Sequence, residues 1–344
     1  MTRADALADA RRQLAAADIP VEESHVEAVL LLCHAANLSR EELFLRPDVP
    51  LTGGESERFG ATIARRARRE PLAYITGARE FYGLTFTVTP AVLIPRPETE
   101  GVVEAVLDFL IPAALTPHPS PSEGRGEPEG DAGDATLPGS PSSEAAGTAV
   151  PKAATPSGSP LPSEGEGWGV RANAVLDLCT GSGCIAVAVA VHLPEARITA
   201  TDISGDALAV ARSNAERHRV ADRITFLSGD LFAPLPPGAR FAVIASNPPY
   251  IAPDEIERLE PEVRDFEPRV ALGVHADALH FYRRIASESP AYLEENGRVV
   301  VEVGFGQSEA VCRLFLDAGF ADVSALPDLA GIPRVVVATG YRKI

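Results

Sequence analysis

"LDLCTGSGCIA", residues 176–186, decides how the rest of the chain is read. The apolar run "LDL" stops at a turn holding Gly181 and Gly183, then passes into a second apolar run, "CIAVAVAVHLP". A strand, a tight glycine turn and a helix, in that order, open a βαβ unit. Glycines at 181 and 183 let the backbone pass close to a ligand, and the helix start presents free N–H groups. Gly181-x-Gly183-x-x-Ala186 fits the dinucleotide-binding pattern, so on these residues alone a nicotinamide cofactor is a fair reading.

The chain downstream keeps alternating. "RITATDIS", "RITFLSGDLF", "FAVIASNPPY", "GRVVVEVG" and "RVVVATGY" read as strands. "GDALAVARSNAERHRV", "HFYRRIASESPAYL" and "SEAVCRLFLDAGF" read as helices between them. This predicts an α/β fold, a doubly wound and mainly parallel sheet of Rossmann-like type. Ligands of such sheets bind at the carboxyl ends of the strands.

Asp202 closes the strand after the glycine turn, about 20 residues on, where a carboxylate accepts from two ribose hydroxyls. The turn and the acid together point to a nucleoside-containing cofactor. An ordinary βαβ turn with a helix-capping aspartate explains either feature singly, and both less well. Asp230, in "SGDLF", ends the third strand. There it accepts from an adenine amine, with Leu231 or Phe232 over the ring, or else it satisfies its own turn; both readings stay open.

"SNPPYI", residues 246–251, ends the fourth strand. Proline cannot donate to a sheet ladder, so the strand stops here. A planar –NH2 nucleophile has a delocalised lone pair. Two fixed oxygen acceptors, one for each N–H, orient such a nitrogen and favour its tetrahedral state. Asn247 Oδ1 and the Pro248 carbonyl supply two, and Tyr250 covers the planar face of the substrate. Catalysis is then orientation and electrostatics at a preorganised site. Hydride transfer has no use for this arrangement, so the motif moves the cofactor from a nicotinamide to S-adenosylmethionine.

The chain has 344 residues, enough for two domains, and its 45% apolar and 23% charged residues suit a soluble globular protein. A formal net charge of −17 argues against broad, sequence-blind nucleic-acid binding, which needs a basic surface. The four cysteines, Cys33, Cys179, Cys184 and Cys312, form no CxxC pair, and no histidine cluster has metal-ligand spacing. A reduced cytoplasmic chain without a metal is expected. "MTRADALADARRQL" lacks the apolar core of a signal peptide, and "AVLLLCHAANL" is too short to span a bilayer.

Three helices are expected upstream: "ADALADARRQLAAADI", "VEESHVEAVLLLCHAANL" with Ser24 as cap, and "GGESERFGATIARRARRE" ending at Pro71. Within the third, "ARRARRE" is either a solvated helix face or a docking face for an acidic or RNA-bound partner. "LTFTVT" reads as a strand and "TEGVVEAVLDFLI" as a helix. Residues 112–172 are rich in Pro, Gly, Ser and Glu and poor in aliphatics, which predicts a disordered insertion, or a partner-binding tail inside the chain.

"LDLCTGSGCIAVAVA", "TDIS", "GDLF", "SNPPYI", "VRDFEPRVAL" and "FYRRI", with "AYITGAREFYGLTFTVTPAVLIPRPETE" upstream, resemble the PrmC/HemK family. These are the release-factor glutamine methyltransferases. NPPY alone is shared with N6-adenine and other amino-group methyltransferases. The likeness spans nearly everything outside 112–172.

The resemblance implies a class I S-adenosylmethionine-dependent methyltransferase fold behind a small all-helical N-terminal domain. With the insertion read from composition, four segments are expected: helical recognition domain (1–80), hairpin and first catalytic helix (81–111), insertion (112–172) and methyltransferase domain (173–344). The implied substrate is the glutamine of the Gly-Gly-Gln motif in peptide chain release factors, methylated on its side-chain nitrogen. The helical domain would help grip that partner, with no direct nucleic-acid or membrane binding and a monomeric chain expected.

Cofactor contacts fall to Cys179, Thr180, Gly181, Ser182, Gly183, Asp202, Asp230, Leu231 and Asn247. Substrate contacts fall to Asn247, Pro248, Pro249 and Tyr250, with Asn247, Pro248 and Tyr250 the catalytic set. Arg96 and Glu98 of "PRPETE" either shape the site mouth or form a rigid interdomain turn. Cys179 stands where the family usually has glycine, and Leu231 where some members have tryptophan. Other readings are glutamine methylation of a ribosomal protein, nucleic-acid amino methylation, and a catalytically silent cofactor-binding module.

Overall fold

The structure is a computed structural model and describes residues 1–111 and 173–341. The insertion expected over 112–172 lies outside the described residues. Five helices come first: α1 (Arg3–Ala15), α2 (Val21–Ala36), α3 (Arg40–Leu45), α4 (Gly53–Ala67) and α5 (Leu72–Thr76). Their apolar faces share one core that includes Leu14, Leu31, Leu32, Phe59 and Ile63. Three of them start on reciprocal caps, Thr2 with Asp5, Ser39 with Glu42 and Thr52 with Glu55. Each pair satisfies orphan N–H groups at a helix start.

Ser24 is not a cap. α2 begins three residues earlier, with Pro20 at its N-cap. The fixed proline φ suits a helix entry, and that position needs no N–H donor. Ser24 is buried in the first turn and donates to the Val21 carbonyl at 2.8 Å.

A hairpin follows, β1 (Ala78–Phe81) and β2 (Leu84–Thr87). Its two turn residues, Tyr82 and Gly83, have φ of 52° and 69°. That is the pattern of a two-residue hairpin turn that matches strand twist. Helix α6 (Glu100–Leu110) then packs its apolar face under the main sheet.

The remaining elements alternate as expected: β3 (Ala174–Leu178), α7 (Cys184–His192), β4 (Arg197–Asp202), α8 (Gly205–Arg217), β5 (Ile224–Ser228) and β6 (Phe241–Ser246). Three short helices, α9 (Pro253–Ile256), α10 (Pro261–Arg264) and α11 (Arg269–Leu272), fill the stretch after β6. Then come α12 (His280–Glu288), β7 (Leu293–Glu302), α13 (Ser308–Asp317), β8 (Phe320–Pro327) and β9 (Pro333–Tyr341). The seven-stranded sheet has the order β5-β4-β3-β6-β7-β9-β8. The first five run parallel, while β9 pairs antiparallel with both β7 and β8. β8 has no counterpart in the sequence reading, because most of "FADVSALP" is exposed and lacks an apolar face.

"ARRARRE" is mostly neither a solvated face nor a free docking face. Arg66 is 4% exposed and lies between Glu27 of α2 and Glu262 of α10, at 2.8 Å from each. Arg69 reaches Glu262 at 2.6 Å and Glu260 at 3.1 Å. Arg65 pairs with Glu70, so among these four arginines only Arg68 is exposed. A guanidinium without carboxylate partners is too costly to bury, and the flanking acids lie far off in sequence. Among the described residues no helix is long and apolar enough to cross a membrane.

Candidate active site

Register brings the site together. Leu178 of β3 pairs with Thr201 of β4 on one side and Ser246 of β6 on the other. Ser246 pairs in turn with Val301 of β7. The next residue along each chain, Cys179, Asp202, Asn247 and Glu302, therefore lies at the same end of the sheet. These are carboxyl ends of parallel strands, where open α/β sheets bind ligands.

One cavity of about 260 Å³ opens over this edge. Its walls include Cys179, Thr180, Gly181, Ser182, Asp202, Asp230, Leu231, Asn247 and Pro249. Asp202 Oδ2 accepts the Gly181 N–H at 2.8 Å and Oδ1 accepts the Ser204 N–H at 2.9 Å. The carboxylate is thus fixed, with a further lone pair on each oxygen free for a ligand. Burial raises its pKa, against the bonds from Ser204 and Gly181.

Asp230 is bridged by Arg284 at 2.7 Å, a partner the turn reading did not contain. Apolar Ile203 and Phe281 and the stacked rings of His275 and His280, 3.8 Å apart, complete the walls.

Cys179 and Leu231 both hold positive φ, 57° and 47°. The two positions expected to depart from the family pattern are thus both left-handed, a conformation that disfavours any side chain. Gly183 lines neither cavity. It starts α7 at φ 79°, and a Cβ there would sit 3.0 Å from Ala211 Cβ. Its work is close packing of α7 on α8.

A second cavity, of about 210 Å³, lies beside the first. Asn247, Arg96, Leu93 and Ala271 line both, so the two meet there. Pro248, Tyr250, Leu259 and Val263 belong to the second alone. Arg96 is held by Glu267, its Nη2 lying 2.7 Å from each carboxylate oxygen. Glu98 lines neither cavity.

Its neighbour Thr99 reaches the site instead. Asn247 Nδ2 donates to Thr99 Oγ1 at 3.1 Å, and Thr99 Oγ1 donates to Glu302 Oε2. Tyr250 OH donates to Glu302 Oε1 at 3.1 Å, and Gln307 Nε2 donates to the Tyr250 carbonyl at 3.0 Å. No donor from the described residues reaches Asn247 Oδ1 or the Pro248 carbonyl.

Two buried carboxyls underlie the edge. Asp177 accepts from Thr180 Oγ1 at 2.6 Å and the Ala186 N–H at 3.2 Å, both on Oδ2, while Oδ1 is buried without a partner. Burial raises its pKa to about 7 against those two bonds. Burial likewise raises Glu302 to about 7. Thr99, Glu267 and Glu302 were absent from the sequence reading. For Glu302 the signal is a lone acid inside the apolar run "RVVVEV"; Thr99 has none, since its partner lies 203 positions away.

Two family models match the chain: the PrmC N-terminal domain over residues 5–77 and the methyltransferase small domain over residues 164–259. The release factor glutamine methyltransferase of Geobacter sulfurreducens is 39% identical over 92% of this chain and 89% of its own. Those of Koribacter versatilis and Cereibacter sphaeroides are 35% and 39% identical, each over 98% of both chains. Among solved structures, the protein-(glutamine-N5) methyltransferase of Alicyclobacillus acidocaldarius is 28% identical, spanning 75% of this chain and 100% of that one at TM-score 0.35. The hMettl16 catalytic domain, in complex with a MAT2A 3′UTR hairpin, covers 82% of this chain and 83% of its own at 15% identity and TM-score 0.50, a likeness of fold alone. The long identities span both the helical part and the sheet, and this chain belongs to the release factor glutamine methyltransferase family.

Proposed function

We propose that the protein transfers a methyl group from S-adenosylmethionine to the side-chain amide nitrogen of the glutamine in the Gly-Gly-Gln motif of peptide chain release factors. The observation that carries this reading is the orientation of Asn247. Its Nδ2 is spent on Thr99, which leaves Oδ1 as an acceptor where the two cavities meet. The names of the relatives support the substrate.

The first cavity fits the cofactor by its donor set: the Asp202 carboxylate for ribose hydroxyls, the 179–182 turn for the polar tail, and Ile203, Leu231 and Phe281 as apolar surface. When bound, the cofactor supplies an electrophilic methyl group on a sulfonium. The chain's own residues act on the other reactant. Asn247 Oδ1 and the Pro248 carbonyl each accept one N–H of the glutamine amide, which turns the nitrogen lone pair out of conjugation. Tyr250, its hydroxyl tied to Glu302, presents its ring to the amide plane. The nitrogen's proton becomes acidic as the bond forms, so the site needs orientation more than a strong base.

In this reading α1–α5 grip the release factor, and the chain divides at about residues 80, 111 and 172. The test incubates the purified protein with labelled cofactor, a release factor, ribosomal proteins and DNA, followed by mass spectrometry. The reading expects one added methyl on the Gly-Gly-Gln peptide of the release factor. Label confined to adenine or to a ribosomal protein overturns it.

A further inference from the structure

Glu302 is 1% exposed, and no cation lies within salt-bridge distance of it among the described residues. Two hydroxyls hold its carboxylate instead, Thr99 on Oε2 and Tyr250 on Oε1. Tyr282 OH donates to the backbone carbonyl of the same residue at 2.8 Å, which pins the strand end. Thr99 has a single hydroxyl hydrogen. Given to Glu302, it leaves the Thr99 oxygen only lone pairs. Asn247 must then meet it with Nδ2, and its Oδ1 turns outward.

We propose that Glu302 sets the polarity of the site: acting through Thr99, its carboxylate makes Asn247 present an oxygen acceptor, and not an N–H donor, to the substrate nitrogen. This rests on the role given above to Asn247. Glu302 and Thr99 are positioning residues, because neither lines either cavity except Thr99 at the wall of the first.

A protonated Glu302 reverses the chain of bonds. Its acid O–H donates to Thr99, Thr99 donates to Asn247, and the amide turns its NH2 toward the substrate. Two N–H groups then face each other and the acceptor is lost. The groups around the carboxyl favour a reversal near neutral pH. Burial and Glu98 raise its pKa, while the Thr99 and Tyr250 bonds and Arg334 lower it. Activity is therefore present with Glu302 ionised and falls as pH drops through its pKa.

The test has two arms. In the kinetic arm, Glu302→Gln keeps the shape and removes the charge. It is expected to lower kcat by about tenfold or more, to leave both KM values within about threefold, and to flatten the rise of kcat over about pH 6–8. Thr99→Val behaves alike, and Thr99→Ser restores most of what Thr99→Val loses. In the second arm no substrate is present. The Asn247 side-chain amide, labelled with nitrogen-15 and identified by its loss in Asn247→Ala, is expected to titrate with Glu302 in wild type. In Thr99→Val that titration is absent. An Asn247 amide that ignores pH, or a Thr99→Val enzyme as fast as Thr99→Ser, overturns the proposal. If the wild-type protein methylates no release factor, the substrate reading fails, while the amide titration still decides the relay.

Discussion

Arg66 of α4 donates to Glu262 of α10 at 2.8 Å, across 196 positions of sequence. The contact joins the helical part to the wall of the second cavity, since Leu259 and Val263 line that cavity on either side of Glu262. Burial opposes ionisation of Glu262, but the bonds from Arg69 and Arg66 prevail and hold it below the usual carboxylate range. Removing Arg66 leaves Glu27 without its cation, while Glu262 keeps only Arg69. Arg66→Ala is expected to lose about 3 kcal/mol in urea unfolding and to raise KM for the protein substrate more than for the cofactor. Arg66→Lys recovers only part, because an ammonium cannot serve both carboxylates with a guanidinium's geometry.

Asp177 makes stability depend on pH in a direction opposite to a surface acid. Burial raises its folded pKa to about 7, well above the usual aspartate range. Its contribution is therefore fully present below about pH 4 and lost as pH rises toward 7. Asp177→Asn removes the buried charge. Relative to wild type, the variant should gain on the order of 2 kcal/mol between about pH 5 and 8, read as the difference in unfolding free energy at the two pH values. A constant difference across that range contradicts the assignment.

The glycine turn yields two substitutions of opposite sign. Cys179 sits at φ 57°, so Cys179→Gly relieves left-handed strain while adding chain entropy to the unfolded state. The net expectation is stabilisation by about 0.5–1 kcal/mol. Gly183 has φ 79° and no room for a Cβ beside Ala211. Gly183→Ala should destabilise by about 2 kcal/mol or more, from strain and overpacking together. Thermal unfolding of both variants checks the pair.

Asp202 already accepts two backbone N–H groups. An asparagine there turns one of those acceptors into a donor facing a donor. Asp202→Asn is expected to weaken cofactor affinity by about tenfold or more, measured by calorimetry with a non-reactive cofactor analogue. Unchanged affinity removes Asp202 from the ribose site.

The sheet was legible because its strands are buried on both faces and read as apolar runs such as "FAVIAS" and "AVLDL". The glycine turn, Asp202 and Asn247 were legible because each follows such a run directly, and parallel register sets them side by side. β8 was not, because it lies at the sheet edge with most of its residues exposed. Ser24 misled because a capping pattern also occurs inside a helix whose true start is a proline. The relay from Asn247 through Thr99 to Glu302 was illegible for another reason: it joins three segments far apart in sequence, two set side by side by register and the third by the packing of the turn before α6. The arginine run looked solvated because its acids are 39 and 196 positions away.

Single-turnover methyl transfer by Asn247→Ala tests the central claim most directly, since it isolates the chemical step from binding. With cofactor and release factor both saturating, the rate should fall by about 100-fold in a protein that remains folded. A near wild-type rate would contradict the role of Asn247 as the acceptor that orients the glutamine nitrogen.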